Sequence, residues 1–259
     1  DGKTRYSQNA GLIELRKAIS QRYADREGLY YLPESEIIVT VGAMEGLYLA
    51  LLAILNDGDE VIIPAPYYVN YRQMVELCHG VPVIVEGNEK LECDVEAVAK
   101  AVTDRTKAVI LNTPCNPTGR IIPQEDIDKI AVLARAKDLF VITDEVYKCL
   151  IYDKSLYAES IAAQPGMKER TIVVNSLSKE FCMTGWRVGY VLASEPVVSV
   201  MTKFQENIAA CAPLPSQYAA IEALRPGTDY SANMASVFRR RRDVLMDELR
   251  KTDKIVCDA

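Results

Sequence analysis

Short apolar runs alternate with amphipathic stretches along most of the chain. The runs Ile37–Val41, Glu60–Ile63, Val81–Val85, Lys107–Leu111, Leu139–Thr143, Thr171–Val174 and Val188–Leu192 are bounded by polar or turn residues, which predicts buried strands. Between them, Gly11–Tyr23 places Leu12, Leu15, Ile19 and Tyr23 on one helical face. Leu47–Leu55, Asp94–Val102 and the stretch from Pro123 to Ala136 also read as helices, with Pro123 as an N1-type opener. Beyond Leu192 the pattern is largely helical. The run Arg239–Arg242 followed by Leu245, Met246 and Leu249 predicts a long helix with a solvated basic face. No repeat, low-complexity run or Gly/Ser linker interrupts the alternation. It predicts an α/β fold with a mostly parallel central sheet flanked by helices in three αβα layers.

Polar segments recur just after strands, where α/β sheets place their ligands. Lys179 follows Thr171–Val174, with Ser176 and Ser178 before it and Arg187 after it. A lysine beside hydroxyls and an arginine suits a Schiff-base amine next to a bound phosphate, although a polar surface loop has the same look. The stretch Gly42-Ala43-Met44 between a strand and a helix can point backbone N–H groups at an anion, or serve only packing. Its glycine spacing is neither a dinucleotide nor a P-loop fingerprint. Tyr67, Tyr68 and Tyr71 cluster after Glu60–Ile63, where aromatics can form a stacking floor for a planar ring; core packing suits Tyr67 and Tyr71 better. Asn112-Thr-Pro-Cys-Asn116-Pro-Thr-Gly119 is a rigid, turn-rich loop. Asp144 and Glu145 follow another strand, where a carboxylate can pair with a protonated ring nitrogen, bind Mg²⁺ or cap a helix. Nearby cationic charge would lower the Asp144 pKa and keep it ionised.

Composition narrows the class. The chain has 259 residues and a formal net charge of −6, which argues against nucleic-acid binding through basic patches. No apolar run approaches the roughly 20 residues of a membrane span. Seven cysteines without a paired spacing, and a single histidine, are the usage of a reducing compartment. With no signal-peptide pattern at Asp1–Tyr6, a cytoplasmic protein with no metal site and no membrane partner is expected.

The stretch Ser176-Leu-Ser178-Lys179, followed by Gly185-Trp-Arg187-Val-Gly189, resembles the lysine motif of the class I/II aminotransferases, the fold-type I pyridoxal-phosphate enzymes. The resemblance extends over nearly the whole chain. Tyr6 with Gly11 and Leu15-Arg16 is similar to the family's tyrosine motif, and Asn112–Gly119 carries every fixed position of its Asn-x-Pro-x-Asn-Pro-Thr-Gly signature. It implies a pyridoxal 5'-phosphate-binding large domain over residues 1–235, with 236–259 as a connecting helix and the start of a largely missing small domain. It implies an internal aldimine on Lys179, which also acts as general base and acid. Arg187, Ser176, Ser178 and the Ala43 and Met44 amides are then expected to hold the phosphate, with Tyr68 stacked on the ring. Asp144 would pair with the ring nitrogen, and Asn116 and Tyr147 would hydrogen-bond the phenolic oxygen. Tyr6 would reach the phosphate of a neighbouring subunit, which makes a homodimer.

The expected activity is amino transfer from an L-amino acid to a 2-oxo acid. A carbon–sulfur β-lyase or related fold-type I enzyme shares the same cofactor residues. The third class open is a non-catalytic regulatory module, against which intact Lys179 and Asp144 argue. The chain starts without methionine, and Lys254–Ala259 reads as the beginning of a strand, so a piece of a longer protein is expected. The family's substrate-carboxylate arginine falls outside this chain. The absence of arginine between Phe204 and Leu224 speaks against one route to dicarboxylate specificity.

Overall fold

A computed structural model describes residues 2–225, 230–252, 254 and 255. The apolar runs become strands β1 Ile37–Thr40, β2 Glu60–Pro64, β3 Val81–Val85, β4 Thr106–Asn112, β5 Phe140–Asp144, β6 Thr171–Ser176 and β7 Gly189–Leu192. They form one sheet in the order β1-β7-β6-β5-β4-β2-β3. Only β7 runs against its neighbours, β1 and β6; the other pairs are parallel. The carboxyl ends of the remaining strands therefore share one edge, as the alternating pattern requires.

Helices cover both faces. Strand residues of one parity, among them Ile38, Ile63, Ile110, Ile142, Val174 and Val191, pack beneath α2 Gly42–Ile54, α3 Asn70–Leu77 and α7 Glu195–Ile208. Val39, Val173, Tyr190 and Leu192 face the opposite way, against α1 Ile13–Glu27 and α8 Leu214–Ala223. On that same face, Ile62, Val109, Leu111 and Val141 meet α4 Val95–Ala101 and α5 Gln124–Ala136. The period-2 alternation of a strand buried on both faces gives the three layers. A short helix, α6 Leu177–Glu180, follows β6, and α9 Tyr230–Leu249 runs unbroken past 235.

Several boundaries differ from the sequence pattern. Helix α2 begins at Gly42 rather than Leu47, because the Glu45 carboxylate accepts from the Val41 N–H and sits favourably at the positive helix end. This puts Ala43 and Met44 in its first turn. Pro123 stands at the N-cap of α5, one place before the N1 position expected. Strand β6 continues to Ser176. The strand start expected at Lys254–Ala259 lies, for 256–259, outside the described residues. No helix among the described residues is long and apolar enough to cross a membrane.

Candidate active site

Sheet register assembles the site. Thr40, Gly189 and Ser176 pair across β1, β7 and β6, while Asn112 pairs with Asp144 and Asp144 with Val174. The motif residues, far apart in sequence, thus reach one edge.

Over β1 and β7 the edge forms an anion cradle. A Cβ on Gly189 would stand 2.6 Å from the Gly42 carbonyl carbon and 2.7 Å from the Ala43 nitrogen. Only glycine lets β7 pass this close beneath the first turn of α2. Gly42 has φ of 78°, and a Cβ there would meet the Arg187 guanidinium at 2.5 Å. Arg187, itself left-handed at φ 50°, donates to Thr184 O at 2.9 Å and Val41 O at 3.3 Å. An exposed guanidinium is therefore pinned beside the unpaired N–H groups of a 13-residue helix. Buried Ser178 lies on α6 after the adjoining strand β6. Cation, helix terminus and hydroxyl suit a phosphate. The Ser176 hydroxyl caps α6, accepting from the Ser178 N–H at 3.3 Å, and keeps its own proton to donate.

At the ends of β4, β5 and β6 the edge becomes aromatic and acidic. Lys179 Nζ lies 5.6 Å from the centroid of the Tyr147 ring. Burial pushes the Tyr147 pKa up, and the nearby Asn116 side chain works against that rise. Asp144, 5% exposed, accepts from the Tyr71 hydroxyl at 2.8 Å and the Val146 N–H at 3.2 Å. Tyr68 contacts Tyr71 edge-on, with ring centroids 5.6 Å apart. The Asn112 side chain donates to Asp144 O at 3.0 Å and accepts from the Asn116 N–H at 2.7 Å, locking the two loops together.

Lys179, Tyr147, Asn116 and Asp144 are thus linked by contacts or charge, and Arg187 sits against the turn that bears Ala43 and Met44. Tyr68 joins through Tyr71. Tyr6 is 85% exposed on the segment before α1. One sequence expectation is corrected. Burial raises the Asp144 pKa to about 6, outweighing the Tyr71 and Val146 hydrogen bonds and the Lys179 charge, while Glu145 adds to the rise. Two residues carry more than the sequence assigned them. Tyr71 was expected as core and does fill core, but its hydroxyl holds Asp144. Asn112, a fixed motif position without an assigned role, bridges two predicted site residues. Its place in the motif was the signal that could have marked it.

Behind β6, between α1 and α9, lies a second cleft of about 690 Å³. Among its charges, Arg22 and Arg26 pair with Glu180, and Lys148 with Glu27 and Glu145. No group of three or more metal-ligating side chains occurs among the described residues.

The chain is similar to known proteins along its whole length. A family model described as aminotransferase class I and II matches residues 1–259. The chain is 43% identical over 253 residues to the putative aminotransferase YugH of Bacillus subtilis, covering 96% of this chain and 64% of that one. It is also 43% identical to an aspartate aminotransferase of Pyrococcus abyssi, over 96% of this chain and 64% of the relative. The crystal structure of an aromatic aminotransferase from Pyrococcus horikoshii superposes with a TM-score of 0.92 at 42% identity, covering 96% of this chain and 68% of that chain. The chain spans about 64% of the length of these curated relatives.

Proposed function

The chain belongs to the class I and II aminotransferases, and we propose that the protein it represents moves an amino group from an L-amino acid to a 2-oxo acid with pyridoxal 5'-phosphate. The observation that carries this reading is the grouping of Lys179, Asp144, Tyr147 and the neighbouring Asn116 beside the Arg187–α2 cradle. The donor set fits the cofactor. A cradle only glycine leaves open, with a guanidinium and free helix N–H groups, suits a phosphate; a buried carboxylate suits a cationic ring nitrogen; two neutral donors suit a phenolate.

When bound, the cofactor supplies a cationic ring that withdraws electrons from the substrate α-carbon. Arg187, the Ala43 and Met44 amides, Ser178 and Ser176 bind the phosphate. Asp144 holds the proton on the ring nitrogen by its negative charge. Asn116 and Tyr147 orient the phenolic oxygen, and Tyr68 packs on the ring face. Lys179 Nζ would be the amine that anchors the cofactor and, once released, the base that takes the proton from the substrate α-carbon and the acid that gives it up again. The fixed orientation of these groups is the protein's contribution; the electron sink belongs to the cofactor.

In the same reading the protein is cytoplasmic and a homodimer in which exposed Tyr6 reaches across to the neighbouring phosphate. Residues 1–235 form the cofactor domain, and 236–259 lead onward from within α9. Relatives named for aspartate and for aromatic substrates support amino acids as the donor class. The test is a half-reaction on the full-length protein. An amino acid should convert the bound cofactor to its amine form, and a 2-oxo acid should return it. Steady release of ammonia or a thiol instead would assign a lyase.

A further inference from the structure

Asp144 presents a physical problem that its neighbours solve. It must be charged to hold a proton on a ring nitrogen, yet it is 5% exposed at the end of a buried strand. Burial favours the neutral acid, and a neutral acid cannot stabilise a ring cation. The Glu145 charge next to it works in the same direction. On the other side stand the Tyr71 hydroxyl from α3, the Val146 N–H from the turn after β5, and the Lys179 cation from α6. Tyr147 also faces Asp144, and Cys115, from the loop after β4, faces Tyr71.

Among these, Tyr71 is the side chain bound directly to the carboxylate, at 2.8 Å. It is 1% exposed, and it is held in two ways: the edge of Tyr68 lies against its ring, and its own N–H donates to Tyr68 O at 3.0 Å. Burial and the Asp144 charge keep its phenol protonated, so it can donate at every ordinary pH. A core filler at this position needs only the ring, which phenylalanine supplies. The buried hydroxyl needs a reason, and the Asp144 oxygen provides one.

We propose that Tyr71 is a positioning residue: its hydroxyl keeps Asp144 an oriented carboxylate and so sustains the pairing with the cofactor's ring nitrogen. The role rests on the cofactor reading above, while the Tyr71–Asp144 interaction itself can be read without cofactor.

The test uses the chain labelled with ¹³C at aspartate carboxyls, with the Asp144 signal assigned by Asp144→Asn. In the cofactor-free chain the Asp144 midpoint should lie near 6. Tyr71→Phe keeps the ring and should move that midpoint up by about one pH unit, a tenfold change in the protonation equilibrium. Replacing Tyr71 by 3,5-difluorotyrosine, a stronger donor that retains the shape, should move it down. This second variant decides the matter if the phenylalanine variant does not fold. Pyridoxal phosphate should bind Tyr71→Phe about fivefold more weakly near pH 6 and equally well above pH 8, where Asp144 is ionised in both. A loss of packing alone would weaken binding at every pH. An Asp144 midpoint unmoved by either variant overturns the proposal. So does a moved midpoint with cofactor affinity unchanged at pH 6. Failure of the unaltered chain to bind the cofactor at all would instead overturn the cofactor reading, leaving the titration result standing by itself.

Discussion

Gly185 and Gly189 flank Arg187 in one short motif, and the structure gives them opposite weights. A Cβ on Gly189 would lie 2.6 Å from Gly42 C, 2.7 Å from Ala43 N and 2.9 Å from Asn175 O, all backbone. No side-chain rotation relieves this contact. Reaching ordinary van der Waals separation requires β7 and the first turn of α2 to part by about 0.8 Å. Overpacking of this kind costs about 2 kcal/mol, which lowers Tm by about 4–8 °C for a chain of this size. The same displacement carries the Ala43 N–H out of hydrogen-bond range of a bound phosphate. Losing one charge-assisted bond costs about 2 kcal/mol, or roughly thirtyfold in Kd. Gly189→Ala should therefore lose both stability and cofactor affinity. At Gly185 a Cβ meets nothing within 4 Å, and Gly185→Ala should change neither. The single tryptophan, Trp186, is half exposed beside Arg187 and offers a fluorescence signal for titration with pyridoxal phosphate. Scanning calorimetry gives the stability. Equal Tm and equal affinity for the two alanine variants would refute the close-approach argument.

Two further outcomes follow from the polar groups around Asp144. Asn112→Ala leaves the Asp144 carbonyl and the Asn116 N–H without their partner in a buried setting, so thermal melts should show a loss of about 2 to 4 kcal/mol; an unchanged melt would contradict the bridge. The second concerns pH. Because the folded Asp144 pKa, about 6, lies above the ordinary value of 3.8, the folded state holds the proton more tightly than the unfolded one. Its contribution to stability is complete below the ordinary value and is lost as pH rises through about 6. Asp144→Asn should accordingly raise the Tm of the cofactor-free chain at pH 8, by an amount that vanishes near pH 4, while weakening cofactor binding. A variant less stable than the parent at pH 8 would count against a net burial cost.

Residues on strand ends were legible in the sequence because the chain announces them locally. The apolar runs locate the strands, and the strand carboxyl ends locate Lys179, Asp144, Asn116 and the Gly42–Met44 turn. Parallel register then brings them together without further information. Tyr71 and Asn112 were not legible in the same way. Their hydrogen bonds to Asp144 span 73 and 32 residues and leave no periodic trace. The direction of the Asp144 shift also escaped, since a list of neighbouring charges contains no measure of how completely the sheet edge excludes water. Gly189 was visible as a motif position, but its reason, the approach of β7 to α2, exists only in three dimensions.

In the proposed reaction Lys179 is the reactive amine of this edge. Pyridoxal phosphate is added to the purified chain, the mixture is reduced with borohydride, and the adduct is mapped by peptide mass spectrometry. One adduct per chain is expected, on Lys179, abolished by Lys179→Ala. An adduct spread over surface lysines such as Lys129 or Lys251, with Lys179 unmodified, would contradict it.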